Sequence, residues 1–323
     1  MALQQEVWST QIQELLYPSN SILAKTTDST QFLHFKTVHM PQAGLNGSVV
    51  KNRSLGGSLA STYQRTDADL TYNIDSYSVD PIIISELETY QISYDKRKSI
   101  LFNAMKNLET VQTDTFLYAI APTVASSSAT TRTSGALSAN SLCFNYAGDV
   151  ATGTRKQVTF ADIMSMKSQL DKQNVEQEGR VMLAPSDIYN NDLLMLPNLL
   201  NAYQFATVNL GQAVASTGAV SKVAGFEVFT RPASVVYSSG GTLASLVQGL
   251  DGSSQPNSIY DTDNWAVLAW HPAYVAFAKG QVDVFYQEVV AQAYGSLISF
   301  NVFAGGANIR TDKKGVVALI QTA

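Results

Sequence analysis

The chain has 323 residues, 45% hydrophobic and 15% charged, with net charge −5 and an isoelectric point near 5.2. This excludes a disordered chain, which lacks the apolar content to fold, and a generic nucleic-acid binder, which shows a basic stripe and a high isoelectric point. One cysteine, Cys143, excludes an intrachain disulfide framework.

In chain order, residues 1–30 carry a helix-like patch, Val7, Trp8, Ile12, Leu15 and Leu16, ending at Tyr17-Pro18. Its opening lacks the basic and apolar regions of a signal peptide. Residues 32–40 read as a strand. Residues 43–76 are rich in Gly, Ser, Asn and Thr, with Leu70, Tyr72 and Ile74 alternating. They predict a long two-stranded excursion, which is marginal alone in water and must lean on something else.

From Ser85 to Tyr118, Leu87, Tyr90, Tyr94, Leu101, Ala104, Leu108, Val111 and Tyr118 recur at steps of three and four. The spacing predicts one long amphipathic helix of roughly 34 residues, about 50 Å at 1.5 Å per residue. Ser85 and Glu88 match the capping box that satisfies the first backbone N–H groups. The run Asp95, Lys96, Arg97, Lys98 reads as a solvated helix face.

Residues 122–157 form a Ser/Thr/Ala/Gly-rich connector and a domain boundary. Strand–helix units follow. Thr159 and Asp162 start a helix with Phe160, Ile163, Met166 and Leu170 on one face, and Arg180–Ala184 is a buried-type strand stopped by Pro185. Ser186 to Leu196 reads as a helix and Gly225 to Thr230 as a strand. Beyond a loop at 238–264, strands are expected at 265–270, 282–290, 297–303 and 316–320. The most apolar stretch, Trp265 to Ala278, is broken at His271-Pro272 and is too short to span a bilayer. Together these features predict a soluble α+β protein kept in a reducing compartment.

Motifs that carry chemistry are missing. Gly148 to Arg155 has P-loop glycine spacing, but Thr154 stands where the lysine must be. His34 and His39, five apart in a strand, point to opposite faces and cannot share a metal ion. The D-x-D pairs Asp67/Asp69 and Asp261/Asp263 do not continue into a calcium loop. No G-x-S-x-G elbow is present. The sequence therefore predicts no catalytic, cofactor-binding or metal-ligating residue, and no enzyme. Charge at 15%, well below the usual quarter, fits a surface that packs on other subunits, where charge is depleted.

The order of parts resembles the major capsid proteins of tailed bacteriophages, the Hong Kong 97-type coat fold shared with encapsulins. The local matches are Val158 to Asp171 with Glu178 to Tyr189, Gly225-Phe226-Glu227-Val228, Tyr294-Gly295, and Arg310 to Val317. The resemblance implies an N-terminal arm (1–42), an extended hairpin loop (43–79), a peripheral domain (80–156 and 265–323) with a spine helix at 85–119, and an axial α/β domain (157–264). It also implies a shell protein that self-assembles into hexamers and pentamers around packaged double-stranded DNA touched non-specifically. Assembly would take place in the host bacterial cytoplasm, with a portal, a separate scaffolding protein and decoration proteins as partners, and no membrane.

A hairpin that begins near residue 43 leaves no room for the N-terminal assembly domain some relatives carry. Some relatives also crosslink a hairpin lysine to an asparagine of a neighbour. Lys51 lies in the hairpin here, but no matching asparagine or carboxylate is identified, so no autocatalytic crosslink is expected. The expected inter-subunit contacts are Trp8, Ile12, Leu15, Lys51, Arg53, Leu70, Tyr72 and Ile74. An encapsulin-type nanocompartment shell and a phage tail structural protein are the alternatives the sequence leaves open.

Overall fold

Two sequence textures build the two larger sheets of the described residues, which share one long helix. The structure, a computed structural model, describes residues 21–34, 36–44, 46–52, 62–85, 96–123, 129–139, 142–143, 150–196, 222–244, 246–248, 254–256, 262–290 and 294–323. Its main elements are β1 (Thr37–Gln42), β2 (Ala68–Asn73), β3 (Asp75–Ser85), α1 (Lys96–Ile120), β4 (Thr130–Arg132), α2 (Phe160–Lys172) and β5 (Val181–Pro185). There follow β6 (Phe226–Arg231), β7 (Val235–Tyr237), β8 (Asn264–Trp270), β9 (Val275–Val290), β10 (Gly295–Asn308) and β11 (Val316–Ile320).

Continuous apolar runs build the first sheet. β6 lies parallel to β5; β5 and β7 share one edge of β8; β11 takes the other edge, with β4 parallel beyond it. Every residue of β5, β8 and β11 is buried, because helices cover both faces. Met182, Ala184, Trp265, Val267, Ala269, Val317 and Leu319 pack with Ile163, Met166 and Leu170 of α2. The alternate residues, Val181, Leu183, Ala266, Leu268, Trp270, Val316, Ala318 and Ile320, pack with Phe116, Leu117 and Ile120 of α1. Each Val, Leu, Ile, Met or Phe side chain among them contributes about 1.5–3 kcal/mol on burial. The start of α2 is the expected cap: Thr159 Oγ1 accepts the Asp162 N–H at 3.3 Å, and the Asp162 carboxylate accepts the Thr159 N–H at 2.8 Å.

Alternating residues build the second sheet. β3, β10 and β9 run antiparallel in that order, and Thr27–Asp28 adds to the foot of β9. The first half of α1 covers one face, where Ala104 meets Ile84, Ile298 and Phe300. The helix thus runs 25 residues, about 37 Å, from this sheet to the first. It passes β10 closely: a Cβ on Gly306 would stand 2.5 Å from the Phe116 ring, so a glycine is needed there.

Several boundaries differ from the sequence reading. Ser85, expected as a helix cap, is the last residue of β3, paired with Gly295, and α1 is described from Lys96. The β-branched run Ile82-Ile83-Ile84 favours extended chain, and the rest of the expected first turns, 86–95, lies outside the described residues. The hairpin arms are β1 and β2, so the excursion opens at Thr37 rather than residue 43. β3, expected partly within that excursion, belongs to the second sheet. The strands at 265–270 and 316–320, expected in the peripheral domain, join the sheet of β5 and β6 and pack on the second half of α1; apolar runs mark burial but not sheet membership. The connector supplies β4 to the same sheet. The helix expected at Ser186–Leu196 is a short turn, Ser186–Ile188, continued as a π-helix over Tyr189–Leu193.

Candidate assembly surfaces

The hairpin is anchored at its base and exposed at Val49, Val50 and Tyr63 further out. β1 and β2 pair with Val38 opposite Tyr72 and Met40 opposite Leu70. Ile74, just past β2, is 3% exposed and packs with Val38 and Ala278, with Tyr72 and Phe303 beside them. Ser29 and the Tyr72 hydroxyl are hydrogen-bonded. Ile74 therefore leaves the set of expected inter-subunit contacts, because its apolar surface is spent inside its own chain. Tyr72 is half-buried in the same cluster, and Leu70 remains partly exposed.

Along β1 and just beyond Gln42 the two arms are held by short polar contacts. Asp67 accepts the Gly44 N–H at 2.9 Å and pairs with Arg65, and His39 Nδ1 meets Asp69 at 2.7 Å. The Arg65 hydrogen bond, then that of Gly44, holds the Asp67 carboxyl below its ordinary range. A Cβ on Gly44 would lie 1.9 Å from the Thr66 carbonyl oxygen, so only glycine allows this approach. Past that point Val49 is 99% exposed, and Val50, Lys51 and Tyr63 are exposed. A Val-Val pair in water at the end of an arm is surface awaiting a partner. The signal was legible as an adjacent β-branched pair amid Asn, Gly, Ser and Lys. Trp8, Ile12, Leu15 and Arg53 lie outside the described residues.

Two depressions flank these elements. A cleft of about 520 Å³ at the hairpin foot has an apolar floor, including Leu70, Ile120 and Ala121, and a basic rim of Arg310, Lys313 and Lys314. On that rim Arg310 and, less closely, Lys314 hold Asp312 down to about 2. A second groove of about 310 Å³ runs between α1 and β9, lined by Phe102, Met105, Lys106, Val282 and Phe300 among others.

Arg155, Cys143 and His271 are engaged within the fold. Arg155, at the end of the P-loop-like stretch, is buried and donates to the Thr152, Thr154 and Asp263 carbonyls. Burial, with Asp263 nearby, pushes the Cys143 thiol up to about 12, which suppresses the thiolate. His271 accepts the Ala273 N–H at Nδ1 and meets the Glu178 carbonyl at Nε2, 2.9 Å, so Nε2 carries the proton. Among the described residues no three His, Cys, Asp or Glu gather to hold a metal ion, and no helix is long and apolar enough to cross a membrane.

One pair was invisible in the sequence. Asp114 of α1 and Arg231 of β6 form a buried ion pair, the contact that ties the helix to the edge of the first sheet. Desolvation pushes Asp114 up to about 6 despite the neighbouring guanidinium. Asp114 Oδ2 and Arg231 Nε and Nη2 have no partner in the fold.

No family model and no curated protein sequence matches the chain. Solved structures do. The chain is similar to the capsid of Cyanophage P-SCSP1u, at 17% identity and TM-score 0.66 over 98% of this chain and 92% of that one. It is similar to the Cyanophage Pam1 capsid asymmetric unit, at 11% identity and TM-score 0.66 over 98% and 96%. The capsid of Ralstonia phage GP4 matches at 12% identity and TM-score 0.60 over 99% and 95%. The chain thus has the mixed, strand-rich α/β fold of these phage capsid chains.

Proposed function

We propose that this chain is a major capsid protein, a coat subunit that self-assembles into the icosahedral shell enclosing the double-stranded DNA genome of a tailed phage. The observation that carries this reading is the likeness in fold to phage capsid chains, spanning 98% or more of this chain and over 90% of each of theirs. At these identities the likeness is one of fold, and the subunit's own surfaces supply the functional argument. A rigid body fills the wall, and the arm bearing Val49 and Val50 recovers its ordering free energy only on a neighbour. The paired or buried state of the chemical residues supports a structural role over a catalytic one.

At finer resolution, the reading assigns the Hong Kong 97-type coat fold, with hexameric and pentameric capsomers in a virion built in the host bacterial cytoplasm. A portal, a separate scaffolding protein and decoration proteins are its proposed partners, and packaged DNA is touched without sequence preference. Negative-stain electron microscopy and sedimentation of the purified protein test this. Closed shells or flat five- and six-fold capsomers are expected. A monodisperse monomer at high concentration, unchanged by crowding or salt, would contradict it. A denaturing gel of intact particles is expected to show no covalent ladder, since Lys51 has no identified crosslinking partner.

A further inference from the structure

Among the described residues, the second sheet guards one long edge and leaves most of the other open. β3, on one outside, carries Pro81, which donates no N–H. Asp75 and Asp80 add charge along it. These are the means by which sheets discourage edge pairing. On the other outside, the two-residue strand Thr27–Asp28 pairs only with Ala276 and Phe277.

Beyond that foot β9 continues as Val282-Asp283-Val284-Phe285-Tyr286-Gln287, with no proline, no lysine and a single charge. Its β-propensity is high, and such an edge recruits another strand. Val284 is 57% and Phe285 58% exposed, and Tyr286 is exposed as well. Val282, Val284 and Tyr286 stand opposite Val302, Phe300 and Ile298, on the face that α1 covers. The groove toward Phe102 and Met105 opens beside them.

We propose that Val282–Gln287 pairs antiparallel with the same segment of a second copy, about a two-fold axis at Phe285. In that register Phe285 meets its own counterpart, Val284 meets Tyr286, and Asp283 meets Gln287. Aromatic and β-branched groups face one another, and the carboxylate finds an amide. A register centred on Val284 instead would set Asp283 against Phe285. Because the contact uses one patch on both copies, it closes as a dimer and cannot propagate as a fibre. Val284 and Tyr286 of each copy fill the groove beside the other's strand. With strands about 4.8 Å apart, the two α1 helices stand roughly 15–20 Å from each other, leaving room for these side chains.

Two half-exposed aromatic rings and two valines per copy bury roughly 800 Å² in total, on about 150–250 Å² per fully buried aromatic side chain. That is below the roughly 1,000 Å² of a stable isolated pair. The contact is therefore weak in dilute solution and filled where copies are concentrated, as in a shell; for that concentration it rests on the coat-protein reading.

Cysteine trapping tests it, because the native Cys143 is buried. Phe285→Cys, Val284→Cys and, on the guarded edge, Ile83→Cys are each made in the full-length chain. They are oxidised mildly at high concentration and in any particles formed. Phe285→Cys is expected to give disulfide dimers at least fivefold in excess of the other two. No dimer from Phe285→Cys, or no more than from Ile83→Cys, overturns the pairing. Phe285→Lys provides a second reading: self-association about tenfold weaker by sedimentation, with an unchanged melting curve. Association equal to wild type would overturn it too. Normal shells without the Phe285→Cys dimer would sink this contact and leave the coat reading standing. Dimers from a chain that never forms shells would support the contact and count against that reading.

Discussion

The α/β sheet and the hairpin treat apolar residues in opposite ways. In β8 seven consecutive residues are buried, while in β2 exposed and half-buried residues alternate, and beyond β1 Val49 stands in water. The sheet is covered on both faces by its own helices, so its hydrophobic free energy is collected within one subunit. The hairpin collects only what its base can, through Val38 and Ile74 against Ala278. One region is built to fold alone, the other to be completed by a neighbour.

The sharpest way to break this contrast is to damage the sheet. Trp270 is fully buried, and its indole N–H donates to the Lys25 carbonyl at 3.1 Å. Trp270→Ala is expected to cost roughly 3–5 kcal/mol in urea denaturation. A loss below about 1 kcal/mol would mean that the sheet is not the self-sufficient part.

Next comes the buried pair linking α1 to β6. Arg231→Met leaves Asp114 alone in the interior, at a cost of roughly 3–5 kcal/mol, and adding Asp114→Leu is expected to recover most of it. The pair also sets a pH dependence. Asp114 is raised from 3.8 to about 6 on folding, so its contribution is full below about pH 3.8 and is lost as pH rises through about 6. Denaturation at pH 4.5 and 7.5 is expected to show this decline, and Asp114→Asn to flatten it.

A smaller effect belongs to the cap of α2. Thr159→Ala is expected to lower stability by about 1 kcal/mol, and Thr159→Ser to retain it, because the hydroxyl is what accepts the Asp162 N–H. At the tip of the hairpin the stability effect vanishes. Val49→Lys with Val50→Lys is expected to move stability by less than about 0.5 kcal/mol while abolishing closed particles in electron micrographs. A large drop in melting temperature there would erase the distinction between the two regions.

What the residues disclosed follows the same division. Local signals were readable: the capping box at Thr159, the stop at Pro185 and the buried strands around Arg180 and Trp265 all stand where the pattern put them. The long helix was readable from Leu101 to Tyr118, while Leu87, Tyr90 and Tyr94 lie outside the described residues. Pairings between distant segments were not readable, because an apolar run marks burial and not its neighbour; β8 and β11 lie against α1 but join the sheet of β5 rather than that of β10. Ile74 was read as an outward contact because alternation reveals a face and not what covers it. Asp114 and Arg231, 117 residues apart, carry no local mark at all.

The most direct test of the central claim replaces residues 46–65 by a short Gly-rich turn, leaving the β1–β2 pairing and the Gly44–Asp67 contact in place. Thermal unfolding and electron microscopy are then run on the same preparation. The account expects an unchanged melting temperature and no closed shells. Normal shells, or a subunit that no longer folds, would contradict it.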